Sequence, residues 1–221
     1  MASLSAIHAD NAAFSPSYVP VALFVGGTSG IGRATAEAFA RYTKGEAHIL
    51  ICGRNRAAAE SVFATFPKSH KGHHEFIECD VTLMKNVQTT TTNLLAAIPK
   101  LNFLFLSTGF LNLKGREDTS EGLPRKLATD YYSRWKFIHD LMPLLRKAKE
   151  AGEDAKVLSV LAAGKGGPVD LEDLGLKKYS LPKEMGAAST YNDIMIEVRS
   201  RYSTGIHIST HINSVIRRSR T

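Results

Sequence analysis

The stretch Val21-Ala-Leu-Phe-Val-Gly26-Gly27-Thr28-Ser29-Gly30-Ile31-Gly32-Arg33 decides how the rest of the chain is read. Its first five residues are an apolar run suited to a buried strand. Ala34, Ala36, Ala38, Phe39 and Ala40 continue past the glycines as a small-residue helix. The order is strand, tight turn, helix. Gly26, Gly30 and Gly32 let the backbone turn sharply and approach a ligand closely. A helix opening near Gly30 directs free N–H groups and a partial positive charge at whatever lies before it, an arrangement that suits a pyrophosphate. Such glycine spacing also occurs in ordinary turns; the strand before it and the helix after it are what point to a dinucleotide.

Outward from this stretch, apolar runs and helical patterns alternate. Ala47–Cys52 reads as a second strand, His73–Cys79 as a third, Asn102–Ser107 as a fourth, Lys156–Leu161 as a fifth and Gly205–Ile212 as a sixth. Between them, Asn55–Phe66, Leu83–Ile98 and the long stretch from about Leu123 to Lys149 suit helices. The last carries Leu127, Tyr131, Trp135, Ile138, Met142 and Leu145 at steps of three and four. Strands alternating with helices predict an α/β fold.

The chain has 221 residues, 43% of them hydrophobic, enough for one core. The expected organisation is a flexible lead-in over 1–20, a single domain over 21–212 and a basic tail over 213–221 that holds Arg217, Arg218 and Arg220. Cys52 and Cys79 lie in or beside apolar runs without Cys-x-x-Cys spacing, which reads as reduced thiols and a cytoplasmic location. With no apolar run of about 18 residues and no signal-peptide core, no membrane association is expected. The net charge of +7 is scattered among 21 acidic residues, so nucleic acid is not an expected partner. His70, His73 and His74 offer no fourth ligand, and alternation puts His73 and His74 on opposite faces of a strand, so no metal is expected.

The run Gly26-Gly-Thr-Ser-Gly-Ile-Gly32, with Tyr179-Ser-Leu-Pro-Lys183 downstream of the fifth strand, resembles the short-chain dehydrogenase/reductase family over roughly residues 20 to 210. The phrasing around Ser133-Arg-Trp and Lys165-Gly-Gly is most similar to fungal members, which suggests a setting in secondary metabolism. The resemblance implies a Rossmann-type doubly wound parallel sheet with helices on both faces, NAD(P) as cofactor and an active site built on Tyr-x-x-x-Lys. By that resemblance Gly26, Thr28, Ser29, Gly30 and Ile31 line the pyrophosphate side, Asp80 the adenine, Gly109 the cofactor backbone, and Lys183 the nicotinamide ribose. At the end of the second strand, where a carboxylate would hold the 2′-hydroxyl of NAD, the chain has Arg54. Its forked guanidinium suits a 2′-phosphate, with Arg33 in reserve, so NADP(H) is expected over NAD(H).

Four residues apart at a helix start, Tyr179 and Lys183 face one way. A phenol near pKa 10 needs an adjacent ammonium to favour its phenolate if it is to exchange a proton near neutral pH. The expected activity is therefore interconversion of a ketone and a secondary alcohol on a small-molecule carbonyl or alcohol substrate, in a homo-oligomer. The constellation departs from the family in two places: Leu161 stands where the catalytic serine is usual and Asp130 where an asparagine is usual. Few residues follow the sixth strand where family members continue through substrate-covering helices. A catalytically impaired NADP(H)-binding protein, or a truncated non-functional short form, is the alternative.

Overall fold

The computed structural model describes residues 3–110, 115–162, 165–178, 180–202 and 205–209. Six strands, β1 (Val21–Val25), β2 (His48–Gly53), β3 (His73–Glu78), β4 (Phe103–Leu106), β5 (Lys156–Ser159) and β6 (His207–Ser209), form one sheet in the order β3-β2-β1-β4-β5-β6. All five pairings are parallel. The order reverses between β1 and β4, so a crevice opens there beyond the carboxyl ends of the strands.

Strand runs such as Val21–Val25 are continuously apolar because both faces of the sheet are covered. Val21, Leu23, Val25, Leu50 and Leu104 face α4 (Met84–Ala97), α6 (Ser133–Glu150) and α7 (Leu181–Tyr202). Ala22, Phe24, Ile49 and Ile51 face α2 (Gly30–Tyr42) and α3 (Arg56–Phe63), where alanines at 36, 40 and 59 allow close packing. Asn102, fully buried, ties the foot of the sheet: its Oδ1 accepts from the Val21 N–H at 2.9 Å and its Nδ2 donates to the Asp154 carbonyl at 2.9 Å.

Three elements differ from the sequence expectations. Within the lead-in, Leu4–Ala12 forms a helix, α1, with no buried residue. The stretch between α1 and β1 is anchored by two aromatic side chains. The Phe14 ring lies 6.4 Å from Phe39 and 6.1 Å from Phe103, and Tyr18 donates to Asp154 Oδ2 at 3.0 Å and accepts from the Asp154 N–H at 2.9 Å. The long helix is broken into a short α5 (Arg125–Leu127), a π-helical turn (Ala128–Tyr132) and α6. Trp135, expected in core or subunit packing, is 38% exposed and so is not in the core, and its neighbour Arg134 is the buried residue. The end of the sixth strand and the basic tail, 210–221, lie outside the described residues.

Candidate functional site

A cleft of about 460 Å³ lies over the carboxyl ends of β1, β2 and β4. Gly26, Thr28, Ser29, Gly30 and Ile31 line one side, Arg54 and Asp80 a second, and Thr108, Gly109 and Phe110 a third, with Thr129. Eight of the nine residues named for the cofactor thus meet at one place. A larger groove of about 780 Å³ runs beside β3 and α4 and joins the cleft at Arg54, Cys79 and Asp80.

The local chain geometry makes a cradle of a kind that a pyrophosphate would fit. Gly26 has φ +89° and packs against the Thr108 backbone, where an added Cβ would sit 3.0 Å from its nitrogen. Gly30 has φ +54°, and the space beside it is open, with nothing within 4 Å of an added Cβ. Gly32 is the packing glycine: a Cβ there would lie 2.3 Å from the Gly26 carbonyl oxygen. Ser29 makes no side-chain cap on α2, so first-turn N–H groups stay available at the helix end that favours anions. These features fit a dinucleotide.

Around the cradle, Asp80 Oδ1 is fixed by the Thr82 N–H at 3.0 Å and the Thr82 hydroxyl at 2.8 Å. Arg54 is exposed and makes no ion pair among the described residues. Arg33, the expected assistant, is instead held by Glu37 at 2.8 Å on its own helix and does not line the cleft.

Behind Gly109 lies a buried polar network that the sequence reading missed. Arg134, 1% exposed, donates through Nη1 to the Leu106 carbonyl at 3.2 Å, the Ser159 hydroxyl at 2.7 Å and the Val160 carbonyl at 2.9 Å, and through Nη2 to the Thr108 carbonyl. It thereby clamps the ends of β4 and β5 together. Burial pulls its pKa down to about 10, against the favourable field of Asp130. Ser159 is consumed by this clamp and fully buried, so it does not stand in for the hydroxyl that Leu161 lacks.

Asp130, 3% exposed, accepts from Lys126 Nζ at 2.7 Å, and Lys126 also donates to the Phe110 carbonyl at 2.9 Å. Burial raises the Asp130 pKa while Lys126 opposes it. Its Oδ1 has no partner among the described residues and lies 3.4 Å from where a Cβ on Gly109 would be.

Of the pair expected to be catalytic, Tyr179 lies outside the described residues. Lys183 is near the start of α7, which begins at Leu181, and its Nζ is 2.9 Å from Asp170 and 3.9 Å from Asp173. The hydrogen bond to Asp170 raises the pKa of this ammonium. Lys183 is the one named cofactor residue absent from the cleft lining.

The sequence model for the short chain dehydrogenase family matches residues 20–164. An oxidoreductase of Emericella nidulans, AN1596, is 37% identical over 203 residues, covering 91% of this chain and 60% of that protein. The chain spans about half to three-fifths of the length of the curated relatives it matches. Among solved structures, a short-chain dehydrogenase from Sphingobium yanoikuyae in complex with NADPH superposes with a TM-score of 0.65 at 16% identity, over 87% of this chain and 69% of that one. An NADH-dependent reductase, A1-R′, complexed with NAD does so at 0.63 and 20% identity, over 87% and 76%. At those identities the two structures establish the fold. Together with the sequence match and the glycine cleft at the sheet's switch point, they show that the chain belongs to the short-chain dehydrogenase/reductase family and has its Rossmann-type fold.

Proposed function

We propose that this oxidoreductase uses NADP(H), in preference to NAD(H), to interconvert a ketone and a secondary alcohol. The observation that carries the cofactor preference is Arg54: an exposed guanidinium on the cleft wall at the end of β2, without an ion-pair partner among the described residues, and with arginine rather than a carboxylate where a ribose 2′-hydroxyl would be taken. Gly30, Ile31 and the uncapped N-terminus of α2 would hold the pyrophosphate, Asp80 the adenine side and Gly109 the backbone near the nicotinamide. The bound nicotinamide supplies or accepts the hydride. Tyr179 gives up or takes the proton at its phenol oxygen, and Lys183 favours the phenolate and holds the ribose.

For that role Lys183 would exchange its carboxylate partners, Asp170 and Asp173, for Tyr179 and the ribose. With Leu161 donating no hydrogen bond, the site lacks one oxyanion-type donor, whose loss typically lowers rates about 10²–10³-fold. Slow turnover is therefore the expected behaviour. The two neighbouring thiols, Cys52 and Cys79, are unlinked, which favours a reducing compartment such as the cytoplasm. The exposed Trp135, Ile194 and Val198 on α6 and α7 favour a homo-oligomer, and the resemblance to fungal members is what the proposed setting in secondary metabolism rests on.

A panel of ketones and secondary alcohols, assayed by NADPH absorbance with wild type and Tyr179→Phe, tests the activity. Turnover that falls at least about 10²-fold in the variant supports the reading. Tight nucleotide binding with no turnover on any carbonyl would instead establish a binding protein.

A further inference from the structure

At the amino ends of the strands, away from the cleft, two imidazoles and a carboxylate meet. His48 opens β2 and His73 opens β3, and the parallel register sets them directly opposite each other. Their rings are 4.8 Å apart, edge to face. Glu75 is two residues along β3 and so on the same face as His73. One donor atom from each of the three lies within 4.8 Å of the others. Among the described residues no other group of three or more His, Cys, Asp or Glu side chains converges in this way.

One further feature suits a cation. His48 Nε2 is buried with no hydrogen-bond partner among the described residues, a state that costs free energy unless something binds there. Zinc bonds of about 2.0–2.2 Å put tetrahedral ligand atoms about 3.4 Å apart. His73 and Glu75 are both exposed, so side-chain rotation supplies that closure without moving the sheet.

We propose that His48, His73 and Glu75 form a binding site for one divalent transition ion of the zinc class, with water completing the shell. Two imidazoles and one carboxylate select such an ion over magnesium or calcium, which take all-oxygen sets. The ion ties β3, the edge strand, to β2. The expectation of no metal rested on His73 and His74 facing opposite ways, which they do: His74 stacks on Phe63 at 5.8 Å on the far side of the sheet. The missing ligands come from the neighbouring strand and from Glu75, which histidine spacing alone does not reveal.

The test is calorimetric titration of the EDTA-stripped full chain with zinc chloride, alongside thermal unfolding with and without zinc. One ion per chain should bind and raise the melting temperature. His73→Ala and Glu75→Gln, both exposed and tolerable to the fold, should each weaken binding by about tenfold or more and remove the thermal shift. His70→Ala should leave both unchanged. Absence of stoichiometric binding, or binding that survives His73→Ala and Glu75→Gln, overturns the site. NADPH titration of the same variants should match wild type, so the outcome is independent of the nucleotide reading.

Discussion

Replacing two glycines of the turn after β1 by alanine should have different consequences, because Gly32 serves packing while Gly30, in the proposed reading, serves the ligand. In Gly32→Ala the new Cβ would sit 2.3 Å from the Gly26 carbonyl oxygen, 2.4 Å from Ser107 Oγ and 2.8 Å from the Gly26 carbonyl carbon. Two of those atoms are backbone, so relief requires α2 to move away from the turn. Overpacking of this kind costs about 1–3 kcal/mol, and a backbone clash belongs at the upper end. Alanine returns about 1 kcal/mol of helix propensity, leaving a loss of about 2 kcal/mol. At about 2–4 °C per kcal/mol for a chain of this size, the melting temperature should fall by about 4–8 °C.

In Gly30→Ala the φ of +54° costs about 1–2 kcal/mol, but no atom lies within 4 Å of the added methyl. Reduced freedom of the unfolded chain returns about 0.4–1 kcal/mol, so the net loss should lie between about 0 and 1.6 kcal/mol, below that of Gly32→Ala. Nucleotide affinity should suffer most in Gly30→Ala, where the methyl projects into the open cradle. Differential scanning fluorimetry and NADPH titration of both variants check this. Equal thermal losses, or unaltered NADPH affinity in Gly30→Ala, would refute the division of roles.

Arg134→Met removes a charged donor from three carbonyls and the Ser159 hydroxyl, so urea unfolding should show a loss of about 3–5 kcal/mol, with the relief of a desolvated charge already offset. A loss below about 1 kcal/mol would mean that β4 and β5 do not depend on the clamp. Tyr18→Phe should cost about 1–2 kcal/mol through its two bonds to Asp154. Burial raises the Tyr18 pKa from 10.0 to about 12. The proton is therefore held more tightly in the folded state, and the contribution is complete below pH 10 and lost as pH rises towards 12. Wild type should lose stability across that window more steeply than Tyr18→Phe, as pH-dependent urea midpoints would reveal; parallel curves would show that Tyr18 does not anchor the N-terminal segment.

The sheet was legible because its strands are buried on both faces, which makes runs such as Ala22–Val25 and Ile49–Cys52 apolar without interruption. The cradle was legible because Gly26 and Gly30 take positive φ values that glycine adopts at least cost, and Gly32 sits where a side chain would meet the Gly26 carbonyl. The clamp was not. Steps of three and four from Tyr131 reach either Arg134 or Trp135, and hydrophobicity selects the tryptophan. The π-helical turn over Ala128–Tyr132 shifts the register and buries the arginine. Nor does α1 announce itself, since it buries no residue and so has no apolar period. The partners of Lys183 depend on how the loop containing Asp170 and Asp173 folds back on α7, a long-range contact with no local signature.

The assignment of the cleft to a phosphorylated dinucleotide is tested most directly by titrating the purified chain with NADPH and NADH and repeating both with Arg54→Ala. NADPH should bind more tightly than NADH. The variant should lose about 1.5–3 kcal/mol for NADPH, roughly 10- to 150-fold, while its weaker affinity for NADH stays within about twofold. Equal binding of the two nucleotides by wild type, or a loss in Arg54→Ala that is the same for both, would contradict the assignment of Arg54 to a 2′-phosphate; failure to bind either would contradict the cofactor site itself.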